Sequence, residues 1–124
     1  MMKMKTWLVV ALVVLAGFVL PMMVGASEQS KLPLMIDLGA DKCIPCITMA
    51  PILEKMEHDY AGKMEVRFID VWKDPDAALH YGVRLIPTQI FYGTDGKELF
   101  RHQGFYGRED ILAKWKELGY EFDK

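Results

Sequence analysis

The sequence Cys43-Ile44-Pro45-Cys46 contains both cysteines of the 124-residue chain, at the point where a predicted strand and loop give way to a predicted helix. The first turn of a helix carries unpaired N–H groups and a partial positive charge, which stabilise a cysteine thiolate. The thiolate is the nucleophile of disulfide exchange. We therefore expect Cys43 to be the more exposed sulfur, and Cys46, one helical turn further on, to be buried and able to resolve a mixed disulfide.

Three other interpretations of the cysteine pair stay open at this point. A static disulfide suits an exported chain, but closing so short a loop removes little chain entropy. A structural zinc needs four ligands, and the chain adds only His58, His80 and His102, each on a different predicted element. A copper site would recruit methionines, which here are spaced like core residues. We favour a redox pair, with no metal and no separate cofactor.

Hydrophobic spacing along the chain predicts the element order β, α, β, α, β, β, α. The predicted elements are a buried strand at 34–38, a helix from Cys46 that contains Pro51, a strand at 66–71, a short helix opened by Asp74-Pro75, a hairpin of 88–92 with 98–103, and a final helix that buries Trp115. Such alternation is typical of an α/β fold with a mixed sheet flanked by helices.

The N-terminal segment differs from the rest of the chain. Residues 1–26 hold two lysines, no acidic residue and a long apolar run that ends in Val24-Gly25-Ala26. The order basic, apolar, small is typical of a secretory signal peptide. We expect cleavage after Ala26, leaving a domain at 27–124. The alternative is a membrane anchor, because residues 7–24 are just long enough to span.

In either case we expect the domain to work outside the cytoplasm, for example in a periplasm. The formal net charge of −2 argues against nucleic acid as the main partner, because phosphate binding needs a clustered basic surface.

Further residues recur in the order and near the spacing seen in thioredoxins. They are Asp37, Ala50-Pro51-Ile52-Leu53, Asp59-Tyr60, Tyr81-Gly82-Val83-Arg84, Ile86-Pro87-Thr88, Asp95-Gly96 and Gly104. A lone C-x-x-C motif is a weak signal, but here a helix proline follows the first cysteine by eight residues and Ile-Pro-Thr comes later. Over residues 34–118 the chain resembles the thioredoxin family. Only the seven residues 27–33 lie between the expected cleavage site and the first strand, too few for that family's usual first strand and helix, which suggests a pared-down thioredoxin fold with a four-stranded sheet.

The resemblance implies roles for individual residues. Cys43 is the attacking cysteine and Cys46 the resolving one. Asp37 matches the family's buried acid, and a carboxyl buried in an apolar strand has a raised pKa and can exchange a proton with Cys46. Alternatively, Asp37 is a strand-end residue bonded to the backbone.

The resemblance also implies a substrate groove beside the disulfide. Pro87 matches the family's cis-proline, which packs next to the disulfide. Ile86 offers backbone hydrogen bonds to an extended substrate segment, as in strand addition. Gly104 forms another wall of the groove.

The sequence departs from the family pattern at several positions. Lys42 and Gly39 stand where thioredoxins usually carry aromatic residues, and Ile44 replaces the usual glycine. Ile44 offers a substrate an apolar contact beside the nucleophile. A cation at Lys42 would lower the pKa of Cys43 and alter the docking of a substrate, unless this lysine is simply solvated. We place the family's buried lysine, which neighbours the acid, at Val66.

The resemblance implies a thiol–disulfide oxidoreductase that acts on protein thiols and disulfides. We interpret the chain as an exported, monomeric reductase, serving cytochrome c maturation or disulfide repair and supplied by a membrane-embedded electron donor. A thiol oxidase or isomerase is the first alternative. A redox-inert module of the same fold that binds extended peptides is the second.

Overall fold

A computed structural model describes residues 31–123. The elements follow one another as β1 (Leu34–Gly39), α1 (Ile44–Asp59), β2 (Glu65–Asp70), α2 (Pro75–His80), β3 (Thr88–Tyr92), β4 (Glu98–Gln103) and α3 (Arg108–Glu117). The predicted order βαβαββα and the α/β fold class are confirmed. The signal peptide or anchor predicted at 1–26 lies outside the described residues. Within 31–123, the helices are too short or too polar to cross a membrane.

Local sequence explains where the first two helices begin. α1 starts directly after Cys43 and carries Pro45 in its first turn, where a fixed φ and a missing N–H cost nothing. Pro51 is accommodated inside the same helix. α2 is capped by Asp74, whose carboxylate accepts a hydrogen bond from the backbone N–H of Ala77 at 3.2 Å. Because α1 begins directly after Cys43, the cysteine pair lies at a helix N-terminus.

The sheet is mixed, with the strand order β2-β1-β3-β4. β1 runs parallel to β2 and antiparallel to β3, and β3 and β4 form an antiparallel hairpin. In this register Leu38 lies opposite Thr88, which in turn lies opposite Gln103. The end of β1, the start of β3 and the end of β4 therefore meet at one end of the sheet, which is also where α1 begins.

Hydrophobic residues fill both faces of the sheet. The larger cluster packs α1 and α3 on one face and contains Met35, Met49, Leu53, Met56, Tyr60, Met64, Phe91, Ile111 and Trp115. The smaller cluster lies on the other face and contains Ile36, Leu38, Val71 and Ile90. Trp115 is fully buried, as predicted. All four methionines of residues 31–123 belong to the larger cluster, where they pack among other buried side chains.

Candidate active site

Cys43 and Cys46 are joined by a disulfide at the start of α1, with their Cα atoms 5.1 Å apart. Cys43 caps the helix in an extended backbone conformation, and its carbonyl accepts a hydrogen bond from the N–H of Ile47 at 2.9 Å. Cys43 is partly exposed, whereas Cys46 is only 3% exposed. An incoming sulfur atom therefore meets Cys43 first.

Gly39, at the end of β1, packs closely against the buried half of the disulfide. A Cβ atom at this position would lie 3.1 Å from the Sγ of Cys46 and 3.0 Å from the ring of Phe68. Both distances are shorter than ordinary van der Waals contact. The absence of a side chain at Gly39 thus lets both Cys46 and Phe68 pack against the end of β1, which gives this departure from the family pattern a packing reason.

Asp37 is fully buried in the middle of β1. Its Oδ1 accepts a hydrogen bond of 2.8 Å from the Nε2 of Gln89 on β3. Burial raises the pKa of Asp37 to about 6, and the hydrogen bond from Gln89 acts in the opposite direction. The partner of Asp37 is a side chain of another strand, so this carboxyl is not the backbone-bonded strand-end residue of the alternative interpretation.

The strand neighbours of Asp37 require one correction. Val66 pairs with Met35, and the residue of β2 that lies opposite Asp37 is Phe68. Placing the family's lysine position at Val66 was therefore wrong by two residues along the strand. The conclusion for the acid is unchanged, because an apolar side chain and not a cation lies beside Asp37 on β2.

The segment expected to bind substrate lies at the same end of the sheet as the disulfide. The Ile86–Pro87 peptide bond is cis. The carbonyl of Pro87 accepts a hydrogen bond from the N–H of Gly104 at 2.8 Å, and Gly104 has a φ of 96°, which favours glycine. The hydroxyl of Thr88 donates to the carbonyl of Leu85 at 2.6 Å. These bonds bring Ile86, Pro87 and Gly104 together beside the start of β3.

Lys42 and Ile44 flank Cys43 on the solvent side. Lys42 is exposed, and Ile44 is 79% exposed. The neighbouring Asp41 forms an ion pair of 3.0 Å with Lys73. Other large apolar side chains are exposed on the segments that meet at this end of the sheet; they are Ile47, Trp72, Leu85 and Phe105. We call this group, together with Ile44, the apolar rim.

The structure gives no support to the zinc interpretation. Within residues 31–123 no group of three or more His, Cys, Asp and Glu side chains is close enough to hold a metal ion. His58 lies on α1 and His80 on α2. His102 lies on the edge strand β4, stacks on Tyr106 at 4.0 Å between ring centroids and is hydrogen-bonded through Nε2 to the carbonyl of Phe105.

Gln89 is the residue of this site that the sequence analysis missed. A signal was present, because the polar Gln89 directly precedes the apolar residues Ile90 and Phe91 in the strand Thr88–Tyr92, and it is as fully buried as they are. Buried polar side chains are normally hydrogen-bonded, so a glutamine in such a strand indicates a partner within reach. The partner is Asp37, 52 residues away in sequence.

Comparisons with known proteins agree with this arrangement. The sequence profile of the Thioredoxin family matches residues 25–117. The chain is 32% identical to Thioredoxin C-2 of Corynebacterium nephridii over 68% of its own length and 78% of that protein, and 36% identical to thioredoxin of Staphylococcus aureus over 62% of its length and 73% of that protein.

Solved structures extend the likeness to three dimensions. A chloroplastic thioredoxin z matches 72% of this chain and 80% of that one, with a TM-score of 0.64 and 26% identity. A malarial protein with a TM-score of 0.65 and 21% identity, matched over 70% of this chain and 97% of that one, shares the fold. The chain thus belongs to the thioredoxin family and is a thiol–disulfide oxidoreductase that carries the Cys43–Cys46 pair.

Proposed function

We propose that this protein is an exported reductase of protein disulfides, with Cys43 as the nucleophile and Cys46 as the resolving cysteine. One observation carries the proposal. The disulfide at the start of α1 leaves Cys43 partly exposed and buries Cys46, and the face of the sheet against which Cys46 packs holds a buried carboxyl with a raised pKa. The exposed Cys43 suits the first chemical step, attack on the partner, and the buried Cys46 with the carboxyl suits the second, release of the partner.

In the first step the Cys43 thiolate attacks one sulfur of a partner disulfide. A Cys43–partner disulfide forms, and the other partner sulfur leaves as a thiolate that takes a proton from water. The helix N-terminus stabilises the attacking thiolate, because unpaired N–H groups and the helix dipole place partial positive charge there.

In the second step Cys46 displaces the partner. The thiol of Cys46 gives its proton to the carboxylate of Asp37, the Cys46 thiolate attacks the Sγ of Cys43, and the second partner sulfur leaves. Two electrons have then passed from the dithiol to the partner disulfide. The Cys43–Cys46 disulfide is regenerated, and Asp37 returns its proton to solvent.

The apolar rim supports an extended or partly unfolded polypeptide as the substrate. Such chains offer apolar side chains to the rim and a free backbone to the groove at Ile86, Pro87 and Gly104. A role in cytochrome c maturation or in repair of wrongly oxidised proteins is consistent with this substrate class. Outside the cytoplasm, electrons would have to come from a membrane-embedded donor.

The midpoint potential of the Cys43–Cys46 couple tests the direction of electron flow. We expect a value nearer to about −270 mV, typical of a reductant, than to about −120 mV, typical of a strong oxidant. Equilibration with glutathione buffers of known ratio, followed by thiol alkylation, measures it. A midpoint above about −160 mV on that scale would favour the oxidase or isomerase function instead.

The export part of the proposal needs its own test. N-terminal sequencing of the protein purified from its native host should begin near Ser27. A membrane-bound protein that still begins at Met1 or Met2 would establish the anchor and overturn cleavage.

A further inference from the structure

One row of side chains crosses the whole sheet at the level of the buried acid. In the strand register, Phe68 of β2 lies opposite Asp37 of β1, Asp37 opposite Gln89 of β3, and Gln89 opposite His102 of β4. Residues that are directly opposite on neighbouring strands share a face of the sheet. The buried carboxyl therefore has an aromatic ring on one side and an amide on the other.

The contact between Asp37 and Gln89 is well defined. Both side chains are fully buried, and Gln89 Nε2 lies 2.8 Å from Asp37 Oδ1 and 3.2 Å from the sulfur of Met49 on α1. Among the described residues, Oδ2 of Asp37 and Oε1 of Gln89 have no hydrogen-bond partner. One carboxyl oxygen is thus held by a donor, and the other is left open in an apolar environment.

Burial and the hydrogen bond from Gln89 are what set the pKa of Asp37, and the other titratable groups on the neighbouring strands make their contacts elsewhere. On β2, Asp70 lies two residues beyond Phe68 and is 3.6 Å from the ammonium of Lys73. On β4, His102 is separated from Asp37 by Gln89 itself. On α1, the side chains buried in the first two turns are Cys46 and the apolar Met49.

We propose that Gln89 is a positioning residue for the proton transfer of the second step, a role that rests on the function proposed above. Its N–H holds Oδ1 of Asp37, which fixes the carboxyl and leaves Oδ2 as the oxygen that takes the proton from Cys46. The proton passes from Cys46 Sγ to Asp37 Oδ2, and no other bond is made or broken. Gln89 keeps its own protons throughout.

A neutral donor suits this task better than a cation. A lysine or arginine beside the carboxyl would stabilise its charge strongly, and the carboxylate would become a weak base. The amide of Gln89 stabilises the carboxylate only in part, so that burial still holds the pKa of Asp37 at about 6. Removing the amide donor therefore raises this pKa further, towards neutrality and above.

The decisive experiment compares Gln89→Met with the unchanged protein. Methionine keeps an unbranched side chain of similar length but has no N–H donor. We expect the carboxyl carbon of Asp37, followed by NMR in the oxidised protein, to titrate about one pH unit higher in the variant. The same shift should appear in the acid limb of the rate at which Cys46 releases a small thiol bound to Cys43. At pH 6 that rate should fall roughly fivefold, because the ionised fraction drops from about one half to about one tenth.

Three control variants separate positioning from packing. Asp37→Asn should abolish the fall of this release rate at low pH. Adding Gln89→Met to Asp37→Asn should cause no further change in the pH dependence of the rate. His102→Gln should leave the limb in place. If Gln89→Met does not fold, Gln89→Asn withdraws the donor by one methylene and should shift the titration in the same direction.

Identical Asp37 titrations in the protein with and without the Gln89 amide would overturn the inference. The inference would also be overturned if Gln89→Met changed the release rate by the same factor in the Asp37→Asn variant as in the unchanged protein. Failure of the proposed function is distinguishable, because the NMR titration of the oxidised protein reports on Gln89 and Asp37 whether or not Cys46 ever resolves a mixed disulfide.

Discussion

The two cysteines are three residues apart in sequence, yet they lie in opposite environments. Cys43 is partly exposed, next to the exposed side chains of Lys42 and Ile44. Cys46 is buried against Gly39, on the side of the sheet that holds the Asp37 carboxyl. We expect the exposed sulfur to meet the partner and the buried sulfur to exchange a proton with Asp37. Changes on the exposed side should therefore alter partner binding, and changes on the buried side should alter pH dependence and stability.

The largest expected effect comes from replacing each of the two cysteines in turn with alanine. In Cys46→Ala the mixed disulfide on Cys43 loses its intramolecular attacker. A well-oriented intramolecular group acts at an effective concentration on the order of 10⁵ M or more, which millimolar external thiol cannot replace. We expect mixed disulfides with partner proteins to accumulate, as seen by non-reducing electrophoresis. Cys43→Ala should trap nothing, and trapping by that variant alone would reverse the two roles.

The next largest expected effect is that of the buried Asp37 on the free energy of unfolding. The pKa of Asp37 is about 6 in the folded protein and about 3.9 in an unfolded chain, so the folded state binds the proton more tightly. The contribution of this group to stability is then greatest below about pH 4 and falls as the pH rises to about 6. The loss amounts to about 3 kcal/mol.

Asp37→Asn removes this titration and should stabilise the oxidised protein at pH 7 by up to about 3 kcal/mol, with little gain at pH 4. Urea unfolding between pH 4 and pH 7 measures the difference. An equal effect of Asp37→Asn at every pH would mean that the carboxyl does not titrate in this range.

The two sides of the disulfide also differ in how far the sequence predicts them. Cys43, Cys46 and Asp37 carry chemistry that is recognisable from residue type and spacing, and the predicted elements place all three near one end of the sheet. The register between strands is set by tertiary packing, which spacing within one strand cannot give. For that reason Val66 was taken for the neighbour of Asp37 in place of Phe68, and the contact with Gln89, 52 residues distant, was missed.

Side chains on the exposed side of the disulfide are expected to change the affinity for protein substrates. Ile44 is 79% exposed and adjoins the nucleophile, so it should bury apolar surface when a protein substrate docks. Ile44→Ser should lower kcat/KM for a protein disulfide about fivefold, which corresponds to about 1 kcal/mol of lost apolar contact. The rate with a small aromatic disulfide is the control and should be unchanged. An equal loss with both substrates would place Ile44 in the exchange chemistry itself.

The smallest expected effect belongs to Lys42. We expect its ammonium to stabilise the thiolate of reduced Cys43, so Lys42→Gln should lower the midpoint potential. The side chain is exposed, and water and salt reduce such an interaction to well under about 1 kcal/mol, or less than about 20 mV for a two-electron couple. Glutathione equilibration at low and high salt measures the shift, which should shrink as salt is added. Lys97→Gln is the matched control, because it makes the same charge change in the turn at the opposite end of the sheet. A salt-insensitive shift above about 60 mV would mean that Lys42 contacts the thiolate directly and that the exposed half of the disulfide, too, controls the potential.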